Sequence, residues 1–367
     1  MKTIGVGIIG ASSGGWASLS HLPALRALDG FEVRAVATTR QASAEAAAAE
    51  YGVPLAFDND RDLVSHPDVD LVVVAVKVPY HRPLVSTALA AGKTVYCEWP
   101  LGVSLGEAES LTADAAAAQA RTVIGLQARN APVIRYVRDL VEEGFVGRVL
   151  GTTMVGSGVA WGPETTGAQA YTFDASQGAT ALTVPAMHAV DALNFVLGDF
   201  TEVTARLGTA RPEVHLSDTG EVRPVTAPDQ IAISGALGLG AVASVYYRGA
   251  FSRGDNFHWE INGTRGDLVL TADGPNGNLQ VADLRLQGGR DADTGVTEMP
   301  VPDAYYGRVP RTLTGPAHNV AQTYAALAED LRAGTSTVAG FDHALRQHRL
   351  IDAIETSART GTVRTLG

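Results

Sequence analysis

Short apolar runs alternate with alanine-rich stretches over residues 3–126, and this alternation constrains the fold more than any other feature of the chain. The apolar runs have the length and β-branched content of buried strands; they are Thr3–Ile9, Glu32–Ala37, Leu71–Val76, Thr94–Cys97 and Thr122–Leu126. The stretches between them have helical composition; they are Leu19–Leu28, Ala42–Tyr51, Leu84–Ala91 and Leu105–Ala118. Regular alternation of this kind predicts an α/β fold with a doubly wound parallel sheet.

The rest of the chain has a different pattern. The predicted elements are a helix over Ala131–Glu143, a strand over Arg148–Val155, a glycine-rich loop over Gly156–Ala179, a helix over Thr180–Leu197, and closing helices over Val320–Ala333 and Phe341–Ser357. Between Glu202 and Leu286, alternating apolar and polar residues with frequent turn signals indicate a large, mostly antiparallel sheet. We therefore predict two domains, residues 1–128 with the parallel sheet and residues 129–367 with the second, α/β type of fold.

Composition narrows the function. With 28 Lys plus Arg against 39 Asp plus Glu, the net charge of −11 argues against binding the phosphate backbone of nucleic acid. A single cysteine, Cys97, is expected to be a buried thiol in a reducing compartment. No apolar run reaches the about 18 residues of a membrane helix, and Met1–Ala17 fits a strand and turn better than a signal peptide. We therefore expect a cytoplasmic protein without membrane contact, and the scattered histidines indicate no metal site.

A glycine-rich turn follows the first predicted strand. Gly10 and Gly14 would let backbone N–H groups approach a pyrophosphate, and the hydroxyls of Ser12 and Ser13 could bind the same oxygens. Ser12 occupies the second glycine position of the usual G-x-G-x-x-G pattern, so the match is imperfect. A purely structural strand–helix turn is the alternative.

The residues after the second predicted strand indicate which dinucleotide is bound. Chains that bind NAD usually place an acidic residue there, whereas this chain has Ala37, Thr38, Thr39 and Arg40. The guanidinium of Arg40 could pair with a 2′-phosphate, so we predict a preference for NADP(H), with NAD(H) as the second choice. A solvated Arg40 is the alternative.

Three further motifs complete a recognisable set. They are Pro79-Tyr80-His81, the run from Gly92 to Pro100 that contains Glu98-Trp99-Pro100, and the segment Thr183–Leu197 with His188. With Gly5-Val6-Gly7-Ile8-Ile9-Gly10, they resemble the Gfo/Idh/MocA family of NAD(P)-dependent oxidoreductases. The resemblance implies a Rossmann domain, a second domain with an open sheet, dimers or tetramers built on that sheet, and cofactor contacts from Trp16, His81 and Glu98.

The chain departs from that family at the residues of the reaction. Members carry Glu-Lys-Pro, with a lysine beside the nicotinamide, and here Trp99 replaces that lysine. They also tend to have an aspartate four residues before the histidine, and here that position is Val184. His188 alone remains of the usual set, so it is the leading candidate for general acid–base catalysis.

Other side chains are candidates for the same site, each with a structural alternative. Lys77 follows a strand and could contact the cofactor or replace the missing lysine; Tyr171 could line the pocket and supply a hydroxyl. Arg129 could reach the cofactor or the substrate, or join the domains, and Trp161 is expected at the substrate. Trp99 could stack on the nicotinamide, line the substrate pocket or pack in the core.

Two functions remain open. The first is an NADP(H)-dependent oxidoreductase acting on a sugar or polyol-like substrate. The second follows from a closer resemblance to the Gal80-like branch of the family, carried by His21-Leu22-Pro23-Ala24, Leu126-Gln127-Ala128-Arg129 and Pro228-Asp229-Gln230. That branch includes fungal regulators that bind dinucleotide as sensors, which implies a catalytically silent protein with a protein partner.

Overall fold

The structure is a computed structural model that describes residues 3–367. The chain divides into two compact units, one formed by the residues up to Gln127 together with Tyr306–His348, and the other by Ala128–Tyr305 with Arg349–Gly367. The first unit has one sheet and the second has two, and each unit is described by itself below.

Up to Gln127, strands and helices alternate as predicted. The elements are β1 (Ile4–Ile9), α1 (Trp16–Leu19), α2 (His21–Arg26), β2 (Phe31–Ala37), α3 (Gln41–Tyr51), β3 (Leu55–Phe57), α4 (Asp60–Ser65), β4 (Leu71–Val74), α5 (His81–Ala90), β5 (Thr94–Cys97), α6 (Leu105–Ala117) and β6 (Thr122–Ile124). The strands form a parallel sheet in the order β3-β2-β1-β4-β5-β6, which confirms the doubly wound prediction.

The remaining elements are α7 (Pro132–Glu142), β7 (Val149–Gly158), β8 (Glu164–Thr165), α8 (Met187–Leu197), β9 (Phe200–Gly208), β10 (Glu213–Leu216), β11 (Val222–Pro224), β12 (Gln230–Leu237), β13 (Val242–Gly249), β14 (Phe257–Gly263), β15 (Gly266–Ala272), β16 (Leu284–Arg290), β17 (Thr297–Glu298), α9 (Pro316–Ala333), α10 (Phe341–Thr360) and β18 (Arg364–Thr365). Nine strands form one sheet in the order β17-β16-β15-β14-β7-β13-β12-β9-β18. Its neighbours are antiparallel except β7 and β13, so the predicted large, mostly antiparallel sheet is confirmed.

Helix α9 belongs to the core of the first unit, although it lies far along the chain. Val320, Tyr324 and Leu327 are fully or almost fully buried in one apolar cluster with Val6 of β1 and Leu22 of α2. Because burial of that apolar face stabilises the fold, α9 packs in the first unit despite its late position in the sequence. The division therefore differs from the sequence-based one, which assigned all residues after 128 to the second domain.

Several predicted boundaries are wrong. The single helix predicted over Leu19–Leu28 is two short helices, because Pro23 has no N–H to continue the helix back to Leu19. The helix predicted over Thr180–Leu197 begins as a π-helical turn, Leu182–Ala186, that contains Pro185. Strands β3, β10 and β11 and helix α4 were not predicted, because elements of three to six residues are too short to show a clear period.

Candidate active site

The carboxyl ends of the parallel strands form one row across the first sheet. In the register, Ile9 lies opposite Ala37 and Val74, Val74 lies opposite Cys97, and Cys97 lies opposite Ile124. The residues that follow each strand are therefore brought to the same edge. In doubly wound sheets this edge is where ligands bind. The structure thus collects there nearly all the predicted cofactor residues, from sequence positions 10 to 99.

The turn after β1 has the geometry of a phosphate loop. Gly10 has φ +102°, and a Cβ at this position would lie 2.4 Å from the carbonyl oxygen of Ala75, so only glycine fits. Ser12, Ser13 and Gly14 are exposed, which leaves their backbone N–H groups and hydroxyls accessible to a ligand. Because α1 has only four residues, the loop rather than a helix dipole would provide most of the binding.

Trp16 begins α1 directly after this loop. Its indole is half-buried, and its Nε1 is buried with no hydrogen-bond partner within residues 3–367. A buried donor without a partner is rare in proteins, and a bound ligand is one of the explanations for it. This observation supports Trp16 as a cofactor contact.

Thr38 and Arg40 follow β2, the strand beside β1. The Thr38 hydroxyl is 3.0 Å from the Arg40 carbonyl oxygen and 2.6 Å from the Ser43 hydroxyl, and these contacts shape the start of α3. The Arg40 side chain is exposed and forms no ion pair with any residue in the described range 3–367. Its guanidinium is therefore available to an anionic ligand.

Lys77 and His81 follow β4. Lys77 is exposed immediately before the 3₁₀ turn Val78–Tyr80, as its place at the strand end predicts. His81 is fully buried: its Nδ1 is 2.9 Å from the Pro100 carbonyl oxygen and its Nε2 is 3.0 Å from the Val76 carbonyl oxygen. Burial lowers the pKa of His81, so the imidazole is neutral and donates to one carbonyl at a time. In this structure His81 supports the backbone at the edge.

Glu98 and Trp99 follow β5. Glu98 Oε1 lies 3.0 Å from His21 Nε2, and His21 Nδ1 lies 2.7 Å from the Tyr324 hydroxyl oxygen. The Trp99 side chain packs against the His348 ring, with ring centroids 4.9 Å apart, and Trp99 is only 5% exposed. This is the environment that the core-packing alternative predicts for Trp99.

Cys97 ends β5 and is a buried free cysteine, as predicted. Its Sγ lies 3.4 Å from His81 Nδ1. Burial raises the pKa of the thiol, with a further contribution from the Glu98 charge, so it stays protonated.

In the second unit, His188 lies on α8 directly after the π-helical turn. It is 3% exposed, and its Nδ1 is buried with no hydrogen-bond partner within residues 3–367. Burial lowers its pKa to about 4, and the charge of Asp191 opposes this shift. The imidazole is therefore neutral at pH 7 and able to accept a proton. A π-helical turn beside it is a feature often found at functional sites.

Asp191, three residues after His188 on α8, forms an ion pair with Arg129. Arg129 Nε lies 2.9 Å from one Asp191 carboxylate oxygen and Nη2 lies 2.7 Å from the other, and the guanidinium covers the Phe195 ring. Asp191 is fully buried, so the pair ties α8 to the segment before α7. This bidentate contact gives Arg129 a structural role within the second unit, whatever it contacts besides.

Tyr171 and Trp161 lie in the glycine-rich segment of the same unit. Tyr171 is half-buried in a 3₁₀ turn, Ala170–Phe173, and burial raises its pKa, so it remains a phenol that can donate. Trp161 is almost fully buried, and its Nε1 has no partner within the described residues. Trp161 lines a depression of about 260 Å³, open mouth included, together with Phe173 and the Arg211–Asp229 ion pair.

The range 3–367 contains no group of three or more His, Cys, Asp or Glu side chains placed to hold a metal ion. None of its helices is both long enough and apolar enough to cross a membrane.

Comparison with known families agrees with this geometry. Residues 4–126 match the oxidoreductase family with an NAD-binding Rossmann fold, and residues 132–272 match the Gal80p C-terminal domain. The first unit thus has the cofactor-binding fold of the Gfo/Idh/MocA oxidoreductases. The two matched models are thus those of the family and of the Gal80 branch that the sequence motifs resemble.

The relatives include both enzymes and regulators. Dehydrogenase aclE of Aspergillus oryzae is 29% identical over 90% of this chain and 88% of its own length. The galactose/lactose metabolism regulatory protein GAL80 of Saccharomyces cerevisiae is 28% identical over 77% of this chain and 69% of its own. Levoglucosan dehydrogenase of Pseudarthrobacter phenanthrenivorans is 29% identical over 77% of each.

Solved structures confirm the fold. A super-repressor mutant of Gal80p from Saccharomyces cerevisiae superposes with a TM-score of 0.89 at 23% identity, covering 99% of this chain and 97% of that one. Levoglucosan dehydrogenase in complex with NADH and levoglucosan gives a TM-score of 0.85 at 23% identity, covering 99% of both chains. At this identity the likeness establishes architecture only.

Sequence reasoning missed the partners of the candidate residues. His21 and Asp191 lie within motifs that the sequence displays, yet neither was assigned a role, and the spacing of Asp191 three residues after His188 on one helix was the available signal. Tyr324 and His348 gave no local signal, because they meet His21 and Trp99 through the tertiary fold.

Proposed function

We propose that this protein is an NAD(P)-dependent oxidoreductase that acts on the CH–OH group of a sugar or polyol-like substrate. The observation that carries the proposal is the edge of the first sheet: a glycine cradle at Gly10, exposed donors at Ser12 and Ser13, and a buried Trp16 Nε1 that has no partner within residues 3–367. These features fit a dinucleotide. The dehydrogenases among the relatives support an oxidoreductase reaction.

We further propose that NADP(H) is preferred over NAD(H). Arg40 is exposed, carries no ion pair within residues 3–367, and stands where an acidic residue would otherwise bind the ribose hydroxyls. A planar guanidinium binds a phosphate in a bidentate manner, and this favours the 2′-phosphate form. Levoglucosan dehydrogenase has been solved in complex with NADH, so NAD(H) remains the alternative.

When bound at this edge, a nicotinamide cofactor would supply the hydride chemistry of the proposed reaction. His188, neutral at pH 7, accepts the proton of the substrate hydroxyl when the alcohol is oxidised and returns it in the reverse direction. The nearby Asp191 carboxylate stabilises the imidazolium while it holds this proton. Tyr171 is a phenol donor for a substrate oxygen, and exposed Lys77 is the second candidate for proton transfer.

The remaining predicted contacts divide between cofactor and substrate. Glu98 and Trp99 are proposed at the nicotinamide end of the first sheet, where His81 supports the backbone. Trp161 and Arg129 are proposed on the substrate side. Trp161 has an indole N–H without a partner in the described chain, whereas Arg129 acts mainly by holding Asp191.

We propose a homodimer or homotetramer built on the nine-stranded sheet, in the cytoplasm. Alternate residues of β13 face outward, and Val242 and Tyr246 on that face are 64% and 37% exposed. An exposed apolar sheet face of this kind is a typical interface between subunits. The single free thiol, Cys97, fits a reducing compartment.

A catalytically silent sensor is the second candidate. Trp99 occupies the place of the family lysine, and indole cannot exchange a proton near neutral pH. GAL80 among the relatives is a regulatory protein. In that case the dinucleotide would act as a ligand, and the partner would be another protein.

One paired experiment separates the two functions. The protein is titrated with NADPH and NADH, and is then screened for turnover against sugars, polyols and sugar acids with NADP⁺ and NAD⁺. The oxidoreductase predicts binding and turnover of at least one polyol-like compound. Tight binding with no turnover across the screen, and a His188→Ala variant unchanged in every assay, would support the sensor; absence of dinucleotide binding would overturn both.

A further inference from the structure

A buried hydrogen-bonded chain runs from Glu98 into the core of the first unit. Glu98 Oε1 lies 3.0 Å from His21 Nε2, and His21 Nδ1 lies 2.7 Å from the Tyr324 hydroxyl oxygen. His21 and Tyr324 are both fully buried, and the ring of Tyr96 packs edge-on against His21 with centroids 5.0 Å apart. The chain joins the end of β5 to the start of α2 and to the middle of α9.

The chemistry of the three groups gives this chain a fixed direction. An ionised carboxylate only accepts hydrogen bonds, so His21 Nε2 carries the proton and donates it to Glu98. His21 Nδ1 is then an acceptor, and the Tyr324 hydroxyl donates a hydrogen bond to it. Burial raises the pKa of Tyr324, which keeps the phenol protonated in this role. Tyr324 thus donates a hydrogen bond to His21, and His21 donates one to Glu98.

The other carboxylate oxygen of Glu98 faces a different environment. Among residues 3–367, Oε2 has no hydrogen-bond donor, and the Glu98 side chain keeps 11% of its surface exposed. Gly125 closes the opposite side, since a Cβ there would lie 2.6 Å from Oε1 and 2.9 Å from Oε2. The carboxylate is therefore clamped between His21 and Gly125 with one oxygen left to accept from a ligand.

We propose that His21 and Tyr324 are positioning residues for cofactor binding: they hold Glu98 so that Oε2 accepts a hydrogen bond from a ribose hydroxyl of the dinucleotide. The inference rests on the proposed function, because it takes the ligand of this edge to be a dinucleotide. Glu98 touches the cofactor, whereas His21 and Tyr324 act only through Glu98. Loss of either one would leave the carboxylate free to rotate, and affinity would fall without any change in the residues that contact the ligand.

The test is a titration of the full-length protein with NADPH for five variants. His21→Leu removes both hydrogen bonds and is expected to weaken NADPH binding about tenfold or more, and Tyr324→Phe about threefold. His21→Gln is expected to restore affinity to within about threefold of wild type, because its amide can donate to Glu98 and accept from Tyr324. Gly125→Ala pushes on the carboxylate from the other side and is expected to weaken binding as His21→Leu does.

The matched control is Tyr247→Phe. Tyr247 is likewise fully buried and donates a hydrogen bond, to the Gly277 carbonyl oxygen 3.1 Å away, but it lies in the second unit. It is expected to lose stability while keeping the wild-type dissociation constant for NADPH.

The outcomes distinguish the two proposals. If wild-type protein binds neither NADPH nor NADH, the proposed function falls. If wild type binds while Tyr324→Phe and Gly125→Ala, folded by circular dichroism, bind equally well, the positioning role is overturned and the proposed function stands. A His21→Gln variant as weak as His21→Leu would also overturn it, because the polarity of the chain would then be irrelevant.

Discussion

The candidate residues of the first unit and those of the second differ in their surroundings. At the edge of the first sheet, the groups proposed to bind the phosphates of the cofactor are backbone atoms and exposed side chains such as Arg40, held in place by the alignment of parallel strand ends. On α8, the group proposed for proton transfer is His188, which is buried and neutral and whose Nδ1 has no hydrogen-bond partner within residues 3–367. Phosphate binding is thus proposed to depend on access, and acid–base chemistry on burial.

The same comparison bears on the resemblance to the Gfo/Idh/MocA family. The first unit holds the glycine turn and the aligned strand ends, whereas Trp99 and Val184 stand where that resemblance leads us to expect a lysine and an aspartate. These two differences concern charged groups that are expected to take part in the reaction. We therefore expect variants in the first unit to change cofactor affinity, and variants in the second unit to change turnover and stability.

The largest effect is expected at the ion pair that supports α8. Asp191→Asn leaves the Arg129 guanidinium, 14% exposed, without its buried partner, and removing one member of such a pair costs about 3–5 kcal/mol. The free energy of unfolding from urea titration is the measurement. Dinucleotide affinity should not change, because the pair lies within the second unit.

The control is the exposed pair between Arg265 and Asp291, whose side chains are 54% and 51% exposed. Asp291→Asn should cause a far smaller change, because water screens this pair. A double variant, Asp191→Leu with Arg129→Met, should recover part of the lost stability. Equal losses for Asp191→Asn and Asp291→Asn would contradict the structural role of the buried pair.

A smaller effect is expected from the low pKa of His188. Because burial holds this pKa near 4 in the folded protein, against about 6.5 when unfolded, the unfolded state binds more protons between these values. The free energy of unfolding therefore falls as the pH drops from about 6.5 towards 4, by about 2 kcal/mol at pH 5 from this residue. Urea titrations at pH 7.5 and pH 5 measure this change. Between these two pH values, His188→Asn should lose correspondingly less stability than wild type.

If the His188→Asn and wild-type curves run parallel between pH 7.5 and 5, then His188 is not held neutral by burial.

The smallest effect is expected at the exposed edge. Arg40→Ala should raise the dissociation constant for NADPH about tenfold, since one charge-assisted contact with the 2′-phosphate is lost to water. The constant for NADH should change by less than about twofold. Titration of both cofactors against both proteins measures this, and equal changes for the two cofactors would mean that Arg40 does not select between them.

The fold was largely predictable from the sequence because its signals are local. The strand Thr94–Cys97 matches β5 at both ends, and the run Glu32–Ala37 lies within β2. Parallel strands buried on both faces are continuously apolar, so their identity does not depend on what packs against them. The phosphate loop was equally visible, because a turn that requires Gly10 leaves a glycine in the sequence.

The supporting contacts were not predictable, because they join distant parts of the chain. Tyr324 meets His21 across 303 residues, and nothing near either residue indicates the pairing. The membership of α9 in the first unit has the same cause. Burial set the environments of His81 and Trp99, and burial is a property of the whole fold, whereas the family resemblance suggested a cofactor contact for His81 and the position after a strand suggested one for Trp99.

The central claim is that the first unit binds the dinucleotide and that His188 of the second moves the proton. The direct test is the rate of NADP⁺ reduction with the best substrate from the screen, measured at 340 nm for wild type and His188→Asn, with NADPH affinity measured in parallel. The account predicts a loss of about 100-fold or more in kcat with an unchanged dissociation constant for NADPH. Turnover by His188→Asn at the wild-type rate would contradict it.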